Sequence, residues 1–110
     1  MTLDEYQTEM LRTAGSALHT VDGLLICALG ICGEGGEAAD IVKKHVYHGH
    51  PLDRAKLIDE LGDVLWYVAR MSEALCTTLD SVAAANISKL RKRYPEGFSS
   101  ERSINRLEEE

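Results

Sequence analysis

Apolar positions recur along this chain at helical spacing, in four stretches separated by turn residues. The first stretch opens with a capping box. The Thr2 hydroxyl can take a free backbone amide, and Glu5, three residues on, can reach back to the Thr2 amide. A helix is predicted from there to about Ala14, where Gly15 and Ser16 loosen its end. The second stretch starts at Thr20 to Asp22, both good caps. It carries Leu24, Leu25, Ala28, Leu29, Ile31, Cys32, Ala38, Ala39, Ile41 and Val42. These residues cover most of the helix circumference, so the helix is expected to be largely buried. Gly30, Gly33, Gly35 and Gly36 interrupt it at about 1 kcal/mol each in propensity. The apolar pattern continues past them, so the helix is expected to persist. The missing side chains would let another backbone or a ligand come close.

His48-Gly49-His50-Pro51 is a stop signal, and Asp53 then caps a third helix. Its stripe is Leu57, Ile58, Leu61, Val64, Leu65, Val68, Ala69 and Leu75. Thr77 to Asp80 form a break that supplies new caps. The fourth helix is predicted from about Asp80 to Arg93, with Ala83, Ile87, Leu90 and Tyr94 on its buried side and Pro95-Glu96-Gly97 ending it. The tail from Ser99 to Glu110 is polar, with only Ile104 and Leu107 to anchor it. No strand-like alternation of useful length and no internal repeat occur. The fold class is therefore all-α, with helical hairpins forming a four-helix-bundle-type core. One copy has few helices with which to cover so apolar a second helix, so self-association is expected to complete that core.

Composition narrows this picture. A chain of 110 residues holds one core rather than two. Residues 1–98 are read as the working domain and 99–110 as a tail. The formal net charge of −6 disfavours nucleic acid and anionic membranes as partners. No apolar run approaches the ~20 residues of a membrane span, and the start lacks the pattern of a signal peptide. Cys27, Cys32 and Cys76 are odd in number, contain no Cys-x-x-Cys and sit in apolar helical contexts. They are read as small buried hydrophobes, and a reducing cytoplasm fits them.

The charged residues carry the chemistry. The second helix is uncharged from Gly23 to Gly33; then Glu34, Glu37 and Asp40 follow at steps of three. The third helix repeats the pairing with Glu60 and Asp63. Two acids at i, i+3 share a helical face. Two such helices face to face would surround one cavity with carboxylates, the donor type that magnesium prefers. A solvated acidic face is the plain alternative for either helix. The matching pairs on consecutive helices weigh toward metal. Asp40 and Asp59 point away from each pair and are read as solvated or supporting.

On the fourth helix Asn86, Lys89 and Arg93 form a polar stripe suited to phosphates. Lys43 and Lys44 lie beyond the acids of the second helix, where they suit either phosphate or the helix dipole. His45, His48 and His50 cross a helix end and are read as loop or phosphate contacts rather than zinc ligands. Tyr67, one turn from Asp63, can line the same cavity. Trp66 is expected at an outer or inter-subunit surface. No Gly-x-x-x-x-Gly-Lys-[Ser/Thr] loop, nucleophile elbow or clear Cys-His pair occurs.

Three segments resemble the motifs of MazG-like nucleotide pyrophosphohydrolases: Leu29 to Lys44, Leu57 to Val68 and Asn86 to Phe98. The likeness spans roughly residues 3 to 98 and touches the Ser103 to Arg106 tail. It implies an all-α homodimer or homotetramer that hydrolyses (deoxy)nucleoside triphosphates to monophosphate and pyrophosphate, with removal of non-standard nucleotides as a fitting role. It implies that Glu34, Glu37, Glu60 and Asp63 hold magnesium, with manganese as a substitute. By the same resemblance Asn86, Lys89 and Arg93 approach the phosphates; Lys43 and Tyr94 are further candidate substrate contacts. Tyr6 and Gln7 match a family segment near the nucleotide. Glu37 is the candidate for orienting the water, and Lys89 and Arg93 for neutralising the triphosphate. Two rival readings use the same residues: a helical dimer that senses a nucleotide or metal without turnover, and a helical interaction domain with solvated acids.

Overall fold

The structure, a computed structural model, describes residues 1–106; Leu107, one of the two expected tail anchors, lies outside them. It contains α1 (Leu3–Met10), α2 (Val21–His48), α3 (Arg54–Ala74), α4 (Leu79–Arg93) and α5 (Ser100–Ile104), with a 3₁₀ turn at Leu11–Thr13. Among the described residues there is no strand and no helix long and apolar enough to cross a membrane.

The helix ends follow from local chemistry. The Thr2 hydroxyl accepts from the Glu5 amide at 3.1 Å while the Glu5 carboxylate accepts from the Thr2 amide at 3.0 Å. Thr20 accepts from the Gly23 amide, and Asp53 from the Lys56 amide. Gly49 closes α2 in the left-handed conformation, with φ 73°, where a Cβ would be strained.

Two compact units divide the chain after Leu79. In the first, α1 and α2 both pack on α3. Met10, Ala14, Ala69 and Leu79 form the buried core, with Tyr6, Leu18, Trp66 and Val68 against it. Polar clamps tie the helices together. Buried Gln7 donates to the Glu73 carboxylate and the Thr77 carbonyl, and its Oε1 accepts from the Leu79 amide at 2.6 Å. Buried Arg70 donates to the Ala14 and Gly23 carbonyls and to Cys27 Sγ, joining α3 to both neighbours. Each clamp satisfies polar atoms that would be costly to bury unpaired.

In the second unit α4 ends at Arg93, and the Tyr94 ring lies 5.3 Å from that of Phe98 across the Pro95–Gly97 turn. Ser99 caps α5, and Arg102 Nε donates to the Arg93 carbonyl at 2.8 Å. Ile104, one of the expected tail anchors, is exposed.

Four expectations about burial change. Within one chain α2 is not largely buried: Gly23 and Cys27 are its buried residues, and Leu25, Ile26, Leu29, Val42 and Val46 are exposed, because among the described residues its extensive packing is with α3. Cys32 and Cys76 are exposed, and Cys27 alone of the three behaves as a buried hydrophobe. Ile87 and Leu90 on α4 are exposed too, whereas Ala83 and Tyr94 are half-buried. Trp66 is half-buried, packing one side against the core while it lines an open hollow and donates its indole N–H to Thr13 at 2.9 Å.

The glycines of α2 are not equivalent. A Cβ built on Gly30 would fall within the Tyr67 ring, whereas Gly33, Gly35 and Gly36 meet nothing within 4 Å. Gly30→Val is expected to destabilise the chain by about 1–3 kcal/mol through overpacking, read as a lower denaturant midpoint.

Candidate active site

α2 and α3 run antiparallel, joined by the short turn at 49–53. Cys27 meets Arg70, Gly30 meets Tyr67 and Glu37 meets Glu60, so each step forward on α2 is a step back on α3. This register sets the second helix's acids against those of the third. Glu34, Glu37 and Glu60 each offer a carboxylate oxygen, and the three oxygens lie within 4.8 Å of one another. Asp63 does not bring an oxygen into that trio. It lines a hollow beside Glu34 on the far flank, and its charge acts on both Glu37 and Glu60.

Crowding shows in the electrostatics. Glu60 is 5% exposed, and its Oε2 is buried with no hydrogen-bond partner. Its pKa is raised, first by the Glu34 carboxyl against it and then by burial. The pKa of Glu37 is also raised, chiefly by its approach to Glu60, with Lys56 opposing. Like charges at this range disfavour ionisation. A buried Glu60 oxygen left unpaired, with half-buried Glu34 and exposed Glu37 beside it as further hard donors, fits a divalent cation bound by Glu34, Glu37 and Glu60.

Two openings flank the acids. On the side of the α2–α3 turn lies a cleft of about 590 Å³, lined by Glu37, Glu60, Asp40, Lys44, His50 and Lys56 among others. Asp40 is not simply solvated there. It binds Lys43 and Lys44 at 3.0 Å each, and these two ammonium groups lower its pKa to about 2. His45 Nδ1 lies 2.8 Å from the His50 carbonyl, so that histidine helps shape the turn. On the other side is a hollow of about 300 Å³ lined by Thr13, Glu34, Asp63, Trp66 and Tyr67. The Trp66 and Tyr67 rings meet edge to face at 5.1 Å.

The remaining candidates distribute as follows. Tyr6 is half-buried against the core, and burial first, then the Asp63 charge, raises its hydroxyl pKa. Gln7 is held inside the fold by the three hydrogen bonds above, in place of the expected nucleotide contact. Asn86 and Lys89 are exposed on α4, and Arg93 and Tyr94 are half-buried at its end, all in the second unit. The motif pattern did not single out Lys56. Its signal was its place four residues before Glu60, on the same helical face. Thr13 had no sequence signal, because its role comes from a partner 53 residues away.

The family model described as the MazG nucleotide pyrophosphohydrolase domain matches residues 25–98. That span contains all four acids and the Asn86 to Tyr94 stripe. The chain is also 34% identical over 105 residues to the Gene 37 protein of Mycobacterium phage L5, covering 88% of this chain and 92% of that one. No solved structure matches the chain at the same stringency. The three motifs, the helical architecture and the converging acids thus coincide with the matched region, and the chain belongs to the MazG nucleotide pyrophosphohydrolase domain family.

Proposed function

We propose that this chain hydrolyses (deoxy)nucleoside triphosphates to nucleoside monophosphate and pyrophosphate with magnesium, manganese serving as a substitute. The observation that carries this reading is the convergence of the Glu34, Glu37 and Glu60 oxygens within 4.8 Å around a buried, unpartnered Glu60 Oε2. Glu34, Glu37 and Glu60 hold the cation, with Asp63 completing the set. When bound, magnesium supplies Lewis-acid neutralisation of phosphate oxygens and acidifies water.

The chain's own groups supply the rest. Glu37, the exposed member of the trio, orients a water for in-line attack on the α-phosphorus and takes its proton. The water oxygen bonds to phosphorus as the bond to the bridging oxygen breaks, and pyrophosphate leaves. Tyr6 borders the site. Lys43, Asn86, Lys89, Arg93 and Tyr94 contact the substrate, and Lys89 and Arg93 neutralise the charge on its phosphates.

The working form is a homodimer or homotetramer. Support comes from the apolar residues left open on both helices of the site, Leu25 and Leu29 on α2 and Ile58, Leu61 and Leu65 on α3, each at i, i+3 or i+4 spacing.

Three measurements follow. In a panel of triphosphates with magnesium, monophosphate is expected by chromatography. Glu60→Gln and Asp63→Asn should each slow its formation on the order of 10²-fold or more, the loss expected when a ligand rather than a supporting group is removed. Full activity in both variants, or an intact triphosphate with bound magnesium in the wild type, rejects the reading; the second outcome identifies a sensor.

The acid trio sets the pH dependence. Folded Glu37 and Glu60 have pKa values above 4.5, so the folded state holds more protons than the unfolded state. Metal-free stability should fall as pH rises from about 4.5 through the raised values, and magnesium should reverse this. Asp40 acts in a lower window, since its stabilisation is lost as pH falls from 3.8 toward about 2. At neutral pH without metal, Glu60→Gln is expected to raise Tm while removing the gain given by magnesium.

Sedimentation should show a dimer or tetramer, shifted toward monomer by Leu61→Glu. A monomeric wild-type chain contradicts the oligomer.

A further inference from the structure

The two openings beside the acids differ in chemistry, and the difference gives the site a direction. Within the first unit, the cations near the acids lie on the α2–α3 turn side. Lys44, His50 and Lys56 line that cleft together with Glu37 and Glu60. The opposite hollow carries no cation: its lining is Thr13, Glu34, Asp63, Trp66 and Tyr67. A nucleotide has the same asymmetry, with a flat apolar base at one end and a polyanionic tail at the other.

The members of the basic cleft are not equal. Lys44 is already bound to Asp40 at 3.0 Å. Lys56 sits one helical turn before Glu60 and lines the same cleft wall as Glu37 and Glu60. An ammonium on a flexible stem beside a cation site is suited to a phosphate that also touches the cation. The cleft extends beyond the acids toward His50, so it has room for phosphate past the one being attacked.

We infer that Lys56, assisted by His50, grips the terminal phosphate of the substrate, so that the chain selects nucleoside triphosphates over nucleoside diphosphates. The polyphosphate tail lies toward the α2–α3 turn and the nucleoside toward Trp66 and Tyr67. The inference rests on the proposed hydrolysis and adds the substrate's polarity and a length-selecting residue. A diphosphate positioned for attack at its α-phosphorus ends one phosphate short of this grip. Lys56 thereby discriminates by chain length and leaves base choice to the other flank.

The test compares kcat/KM for the best triphosphate of the panel with that for the matching diphosphate. It is run in the wild type, Lys56→Met and Lys56→Arg, alongside inhibition by magnesium pyrophosphate and by orthophosphate. The wild type should favour the triphosphate, and Lys56→Met should shrink that preference about 10-fold or more, as expected when one charge-assisted contact is lost. Pyrophosphate inhibition should weaken in parallel while orthophosphate inhibition changes little. Lys56→Arg should restore most of the preference. A merely structural lysine would lower both substrates equally and leave the ratio unmoved, so an unchanged ratio or unchanged pyrophosphate inhibition overturns the assignment while the hydrolase reading stands. A wild type that cleaves neither nucleotide overturns both.

Discussion

The antiparallel seating of α3 on α2 is the contact on which the rest depends. Tyr67 fills the space above Gly30, where no side chain could remain, and Arg70 reaches across to Gly23 and Cys27 one turn further along. These contacts hold the helices in one register. Given that register, Glu37 can only meet Glu60, and Glu34 can only lie between Glu60 and Asp63. A slide of one turn would leave a single acid pair facing across the seam and break up the trio. The site is thus a consequence of packing between residues that carry no charge chemistry themselves.

That packing sustains a local penalty. Buried Glu60 faces Glu34 and Glu37 with one oxygen unsatisfied, an arrangement that apolar packing alone would not favour. Conflicts of this kind are expected where a site is built for a ligand, since the ligand resolves them. The polar clamps at Gln7 and Arg70 are the opposite case. They are also buried, yet each has carbonyl or carboxylate partners, and they brace the helices that carry the strained trio.

The exposed apolar residues of α2 and α3 belong to the same argument. A helix apolar around most of its circumference needs neighbours on several sides. α3 covers one side. Leu25 and Leu29 stay exposed on α2, and a Cβ added at Gly33, Gly35 or Gly36 would meet nothing within 4 Å. The acid site and the uncovered face therefore share the same two helices.

Much was readable before any coordinates. The capping box at Thr2 and Glu5, the caps at Thr20 and Asp53, the stop at Gly49 and the i, i+3 acid pairs all depend on residues within a turn or two of each other. Sequence spacing determines such features directly. What it could not reveal was which residues meet across tens of positions. Gln7 matched a nucleotide-contact segment, but hydrogen bonds to partners more than sixty residues away draw it into the fold. Trp66 donates its N–H to Thr13, a partner 53 residues away. Lys56 and Lys44 became one wall of a cleft only when the α2–α3 turn brought their helices together. Local hydrogen bonding and periodicity thus determined the helices and their acids. Long-range steric fit decided the register, the trio's closeness and the opposite chemistry of its two flanks.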